Sequence, residues 1–159
     1  MPMKILIDGD GCPVVGITID LSRKYKISCI ILCDTSHQID YEGVQTVIVP
    51  KGADNVDFKL VNMLQPGDIV VTQDYGLAAM CLSRRGIPIR QDGMVYNQDN
   101  IDFLLQARYS LKKMRDSGTR IKGNSKRTKE EDMKFKSALE TLITGLLRYL
   151  TYIADRSFA

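Results

Sequence analysis

The sequence predicts an α/β fold with a mainly parallel five-stranded sheet and a long C-terminal helix. Short apolar runs alternate with longer stretches of helical periodicity, which is the pattern of parallel strands joined by helical crossovers. The first run is apolar on both faces, as expected of a central strand that is buried on each side. With 159 residues, of which 44% are hydrophobic, the chain can bury one core and is too short for two ordinary domains. We therefore expect one domain spanning residues 1–159.

Five apolar runs predict the strands, and each run stops at polar or turn-forming residues. The predicted strands cover residues 3–7, 28–33, 44–49, 68–72 and 87–89. The first strand ends at Asp8-Gly9, the second at Asp34 and the fourth at Gln73-Asp74. The sheet is therefore expected to carry acidic residues at the ends of several strands.

Five stretches with helical periodicity predict the helices, at residues 13 to about 25, 54–64, 77–85, 100–115 and 129–153. Pro13 suits the first turn of its helix, and Gly86 is predicted to occupy the C′ position of the third helix. The last helix has apolar residues from Phe135 to Leu150 on one side. We expect this side to pack on the rest of the domain or on a second copy of the chain in a homodimer. The polar and basic segment 116–128 is predicted to be an exposed connection.

The charge is unevenly distributed along the chain. Residues 1–107 carry nine basic and thirteen acidic side chains, a net charge of −4, whereas residues 108–159 carry thirteen and six, a net charge of +7. We interpret these parts as an acidic α/β body and a basic helical extension, and the asymmetry indicates a polyanionic partner. The composition excludes wholesale disorder. No signal segment or membrane-spanning run is found, so a cytoplasmic location is expected.

The four cysteines do not indicate a disulfide framework or a thiolate zinc site. Zinc would need further ligands, and His37 is the only histidine of the chain. Cys12 precedes a helix N-terminus, where a thiolate can be stabilised, but the neighbouring carboxylates oppose that charge. A packing role is therefore favoured for Cys12.

Acidic residues follow the strands at the edge where parallel sheets bind ligands. Asp8 and Asp10 come after the first strand and Asp74 after the fourth. Asp54 and Asp57 are three residues apart, so both project from one face at the start of a helix. If the first and fourth strands are neighbours, these five carboxylates converge. Mg²⁺ or Mn²⁺ would neutralise them, because hard cations prefer oxygen ligands.

Each of these residues also has a structural explanation. Asp is common in turns and at helix N-caps, and Asp54 in particular could cap its helix. The coincidence of several acids at strand ends favours a metal site for the set as a whole, with Asp54 as a ligand or a supporting residue.

Three segments of the chain resemble the sequence motifs of the bacterial YaiI/YqxD family. Residues 7–13 (IDGDGCP) match its D-x-D-x-C-P opening, and residues 52–57 (GADNVD) match its G-x-D-x-x-D. Residues 67–78 (GDIVVTQDYGLA) match its G-D-x-V-x-T-x-D-x-x-L-A signature. Arg108 and residues 115–118 and 132–135 fit its C-terminal pattern.

This resemblance implies a three-layer fold similar to that of the PIN-like nucleases, with strand order 3-2-1-4-5. It also implies an acidic divalent-metal site formed by Asp8, Asp10, Asp54, Asp57 and Asp74. Two departures stand out. The chain has Gln91-Asp92-Gly93 where the family often has Pro-Arg-Gly, which adds an acid, and it has residues 121–124 (IKGN) where Thr-Gly-Gly-Pro is common.

Three functions remain open from the sequence. The first is a Mg²⁺- or Mn²⁺-dependent nuclease, acting on RNA rather than DNA, with Asp8, Asp10, Asp57 and Asp74 as catalytic metal ligands. The second is a non-catalytic nucleic-acid-binding or regulatory module with the same fold, and the third and weakest is a phosphatase. Ser36, His37 and Arg108 are candidate substrate contacts. The basic side chains that would hold a nucleic-acid backbone are Lys112, Lys113, Arg115, Arg120, Lys122, Lys126 and Arg127.

Overall fold

The computed structural model describes residues 3–37, 39–120 and 125–157, and all ten predicted elements are found there. The strands are β1 (Lys4–Asp8), β2 (Ser28–Asp34), β3 (Gln45–Val49), β4 (Ile69–Val71) and β5 (Ile87–Ile89). The helices are α1 (Val15–Lys24), α2 (Asn55–Met63), α3 (Tyr75–Ser83), α4 (Gln98–Asp116) and α5 (Lys129–Ser157).

The five strands form a parallel sheet in the order β3-β2-β1-β4-β5. The predicted α/β fold with strand order 3-2-1-4-5 and a long C-terminal helix is confirmed. Strand β1 lies in the centre, with Ile7 paired to Ile31 of β2 and to Val71 of β4. This order brings the carboxyl ends of β1 and β4 side by side, which is the condition for their acidic residues to meet.

Helices cover both faces of the sheet because the central strands are apolar on both sides. On one face, Ile5 and Ile7 of β1 belong to a core that includes residues of α1 and α5. On the other face, Leu6 of β1 belongs to a second core that includes Leu60 of α2 and Leu77 of α3. All five side chains are buried, so the sheet forms the middle of three layers.

The two C-terminal helices are fixed to this body at few points. Helix α4 begins at an Asn97 capping box and has Ile101 as its only fully buried residue among those described. Helix α5 buries Phe135, Leu139 and Ile143 in its first half, whereas its last eight residues are exposed. Among the described residues, no helix combines the length and apolar character needed to cross a membrane.

The prediction that Gly86 takes the C′ position of α3 is wrong by one residue. Arg85 adopts the left-handed conformation there, with φ of 62°. The amide of Gly86 donates to the carbonyl of Cys81 at 2.8 Å and that of Arg85 to Leu82 at 3.0 Å, which is the Schellman pattern with glycine at C″. A Cβ on Gly86 would lie 2.9 Å from Leu64 Cδ2. Glycine is therefore needed for close packing and not for a positive φ.

Candidate functional site

A polar cleft of about 1200 Å³ opens at the carboxyl end of the sheet. It is bordered by the residues that follow β1, β4 and β5, by the starts of α2 and α5, and by one face of α4. All five carboxylates predicted as metal ligands line it, and we call them the acidic wall: Asp8, Asp10, Asp54, Asp57 and Asp74.

Asp8 is the last residue of β1 and the most central member of the acidic wall. The hydroxyl of Thr72, just after the neighbouring strand β4, donates to Asp8 Oδ2 at 2.8 Å and orients the carboxyl group. The pKa of Asp8 is raised to about 6, chiefly by burial and to a lesser extent by the charges of Asp10 and Asp74, against the lowering effect of the Thr72 hydrogen bond. An ionised Asp8 is therefore costly without a neighbouring cation.

Asp57 projects into the cleft from the first turn of α2. Its pKa is raised to about 6, first by burial and then by repulsion from the other four carboxylates of the acidic wall. The acids from the strand ends and from α2 thus line one cleft and influence one another electrostatically. The five acids expected to meet do line one cleft, but among the described residues no three of them have donor oxygens within 4.8 Å of one another.

Asp54 and Asp74 both precede a helix, but only one of them caps it. Asp74 Oδ1 accepts from the amides of Gly76 at 2.8 Å and Leu77 at 3.2 Å, so it caps α3. Asp54 has a left-handed conformation, with φ of 61°, and its side chain makes no capping hydrogen bond. The interpretation of Asp54 as a helix cap is therefore wrong, since capping needs an extended backbone at that position.

Asp10 lies beside Asp34 at the end of β2, and both contact His37. The imidazole Nδ1 is 3.1 Å from Asp34 Oδ1 and 3.4 Å from Asp10 Oδ1. The His37 hydrogen bond is the main reason that the pKa of Asp34 lies below its ordinary value. Asp34 was not among the predicted site residues, although it follows a strand as the others do.

One face of α4 forms a basic wall of the cleft, made by Arg108, Lys112 and Arg115. These residues are spaced four and three apart, so they project from the same side of the helix. The Arg108 guanidinium reaches to 3.7 Å from Asp74 Oδ1, which joins the basic wall to the acidic wall. Leu104 and Leu111 lie on the same face and line the cleft between the cations.

The other predicted basic residues are arranged differently. Arg127 lines the cleft, but its guanidinium donates to Asp132 at 2.6 Å and to the carbonyl of Gln91 at 2.7 Å, so it ties α5 to the end of β5. Lys113, Arg120 and Lys126 are exposed and do not line the cleft. Lys122 and the rest of the segment 121–124 lie outside the described residues.

The predicted contacts Ser36 and His37 do not line the cleft itself. The amide of Ser36 donates to Asp34 Oδ1 at 2.8 Å, so this turn supports Asp34, which does line it. Cys12 has its pKa raised to about 11, chiefly by burial. This argues against a thiolate nucleophile and supports the packing role expected from the sequence.

An ion pair that the sequence did not predict lies at the end of β5. The Arg90 guanidinium donates twice to the Asp92 carboxylate, at 2.9 and 2.5 Å, and both residues line the cleft. The acid at position 92 is thus neutralised by its neighbour and adds little to the acidic wall. The position of the pair directly after a strand could have identified it, because the same position identified Asp8 and Asp74 as site residues.

Removing one charge from the acidic wall is expected to stabilise the protein at neutral pH. The pKa of Asp57 is about 6 in the folded protein and 3.8 in the unfolded chain, so the folded protein binds a proton at this carboxylate more tightly. Ionisation of Asp57 therefore destabilises the fold progressively as the pH rises from about 4 to above 6. With allowance for solvent screening at this half-buried site, Asp57→Asn should gain about 1 kcal/mol at pH 8 and nothing below pH 4.

Urea unfolding in a metal-chelating buffer at pH 4 and pH 8 measures this difference. Asp20→Asn, on the exposed side of α1, is the matched control and should behave as the wild type at both pH values. An Asp57→Asn variant with the same pH dependence as the wild type would show that the folded protein does not raise the pKa of Asp57.

The sequence relatives agree with the motifs described above. Residues 6–145 match the family described as "Uncharacterized BCR, YaiI/YqxD family". A UPF0178 protein of Exiguobacterium sibiricum is 51% identical over 142 residues, covering 89% of this chain and 97% of the relative. A UPF0178 protein of Clostridium acetobutylicum is 44% identical over 143 residues, with the same two coverages. No solved structure matches the chain significantly. With a family match over most of its length and relatives this similar, the chain belongs to the YaiI/YqxD family.

Proposed function

We propose that the protein is a divalent-metal-dependent nuclease that hydrolyses phosphodiester bonds, with RNA as its substrate. The observation that carries this proposal is the cleft itself, in which five carboxylates and the three cations of the basic wall line one space. Phosphodiester cleavage needs both features, a site for a cation at the reacting phosphate and positive side chains along the backbone.

The acidic wall has the donor chemistry that suits a hard divalent cation, although no three of its carboxylates have oxygens within 4.8 Å of one another in the described residues. All its donors are carboxylate oxygens, which are the ligands of Mg²⁺ and Mn²⁺. The raised pKa values of Asp8 and Asp57 support such a site, because a bound cation would offset both the burial that chiefly causes them and the smaller repulsion between the acids. The bound ion would supply an activated water and charge stabilisation for the leaving oxygen.

The residues of the chain would then divide the work. Asp8, Asp10 and Asp57 would hold the ion, with Asp8 kept in place by Thr72. Asp74 would be a ligand through the oxygen that does not cap α3, and Asp54 would be a ligand or a supporting residue. Arg108 and Lys112 would bind phosphates that flank the scissile bond.

Incubation of the purified protein with structured and single-stranded RNA and DNA in millimolar Mn²⁺ or Mg²⁺ tests this function, with a chelator as control. We expect RNA fragments that appear with the metal and are absent with the chelator. A complete lack of cleavage across the panel, in protein that still binds RNA, would contradict catalysis.

A non-catalytic nucleic-acid-binding module is the second candidate, and one contact favours it. Asp74 is already engaged by two amides of α3 and lies near Arg108, so this acid has a structural role that needs no ion. In that case RNA binding should depend on salt, tolerate Asp8→Asn and be weakened by changes in the basic wall.

Both functions predict that Lys112 contacts phosphate. Lys112→Ala should weaken RNA binding to a similar extent for all sequences and lower the slope of log K against log salt by about 0.7. Fluorescence anisotropy over a salt series measures that slope in the presence of a chelator. Lys136→Ala, an exposed lysine of α5 outside the cleft, is the control and should leave the slope unchanged.

A further inference from the structure

The turn after β2 gathers nitrogen and oxygen donors in one place. The side-chain donor atoms of Asp10, Asp34 and His37 all lie within 4.8 Å of one another, and no other such group of three occurs in the described part of the chain. Neither the proposed nuclease reaction nor the acidic-wall site uses Asp34 or His37. We propose that these three residues form a second cation site, which shares Asp10 with the acidic wall and binds a transition-metal cation of the Zn²⁺ class.

The two donor separations that involve His37 are also those expected of ligands around one ion. Zinc binds nitrogen and oxygen at about 2.0–2.2 Å, and near-tetrahedral angles then place neighbouring donor atoms about 3.3 Å apart. The Nδ1 atom of His37 lies 3.1 Å from Asp34 Oδ1 and 3.4 Å from Asp10 Oδ1. Small movements of the side chains would be enough to admit the ion.

The backbone holds the three side chains towards one another. The amide of His37 donates to the carbonyl of Asp34 at 3.2 Å, which closes the turn and brings the imidazole back over the Asp34 carboxylate. The amide of Ser36 donates to Asp34 Oδ1 at 2.8 Å. The amide of Asp34 donates to Asp10 Oδ1 at 3.4 Å. The carboxylates are thus partly oriented before any ion arrives, which lowers the cost of binding.

The charges around the site also call for a cation. Within the described residues, no lysine or arginine forms an ion pair with Asp10 or Asp34, and the imidazole of His37 is the only basic side chain in contact with them. A nitrogen donor distinguishes this group from the all-oxygen acidic wall, because imidazole favours zinc and similar ions over Mg²⁺. Three protein ligands leave one position open, as in catalytic rather than structural zinc sites.

The single histidine of the chain provides a direct test by NMR, in protein without an affinity tag of histidines. Zn²⁺ alone is added at pH 7.5 and the Cε1–H signal of His37 is followed. We expect the signal to shift and to saturate near one equivalent of Zn²⁺, and to stay unchanged with the same concentration of Mg²⁺.

Variants separate this site from the acidic wall. Asp34→Asn should weaken the response of His37 to Zn²⁺ at least tenfold, whereas Asp57→Asn should leave it as in the wild type. Calorimetry on His37→Gln, which should lose the same zinc-binding event, gives a second measurement if Asp34→Asn unfolds. A His37 signal that does not respond to excess Zn²⁺, or a response that survives both Asp10→Asn and Asp34→Asn, would overturn the proposal. No nucleic acid is used, so failure of this site and failure of the nuclease proposal are distinguished.

Discussion

Asp8→Asn should reduce metal-dependent RNA cleavage roughly a thousandfold, which corresponds to about 4 kcal/mol of lost transition-state stabilisation. Asp8 is the central carboxylate of the acidic wall, because it ends the central strand β1 and feels the charges of Asp10 and Asp74. The amide oxygen of asparagine can still accept from Thr72, so the local hydrogen bond survives while the charge is lost. Initial cleavage rates at saturating Mn²⁺ measure the effect.

Two controls make the result of Asp8→Asn specific. Asp20→Asn changes the same group on an exposed helix face and should cleave at the wild-type rate. Binding of RNA without metal, followed by anisotropy, should be retained or strengthened in Asp8→Asn because a negative charge has left the cleft. Cleavage that persists in Asp8→Asn would assign the activity to a contaminant or to other residues.

Phe135→Ala should destabilise the protein by about 4 kcal/mol, which is near the upper range for single substitutions. The Phe135 side chain of α5 is fully buried in the same core as Ile5 and Ile7 of β1. Truncation removes its apolar contacts and leaves a cavity that the rigid sheet cannot fill. Urea unfolding followed by circular dichroism measures the change in the free energy of unfolding.

Phe103→Ala is the matched control for this prediction. Phe103 lies on α4 with 70% of its surface exposed, so its removal should change the free energy of unfolding by less than about 0.5 kcal/mol. A similar decrease in the free energy of unfolding for both variants would mean that α5 is not packed on the body as described. The start of α5 would then not border the cleft.

The fold was largely predictable because hydrophobic patterning is a local property of the sequence. The apolar runs of β1 and β5 can be recognised from their own residues, without knowledge of the strands that pair with them. The acids that follow strands could be placed at one edge because the carboxyl ends of parallel strands lie together. The strand order was implied by the resemblance to the YaiI/YqxD family, since no residue of β4 indicates by itself that this strand pairs with β1.

The finer features of the site could not be read from the sequence because they depend on single backbone angles and on neighbouring strands. The left-handed conformation of Asp54 removes its capping role, and no residue type dictates it. The meeting of Asp10 with Asp34 and His37 requires both the β1–β2 pairing and the turn after β2. The placement of Arg85 and Gly86 likewise depended on the packing of Leu64.

The two walls of the cleft, one acidic and one basic, give this face of the molecule an electric dipole. Such a field turns an approaching polyanion before contact, so that its charged backbone meets α4 first and the acidic residues last. Encounter is then directional and fastest at low ionic strength, and screening above physiological salt would remove the bias. The uneven charge along the chain is thereby converted into a preferred direction of approach to the cleft.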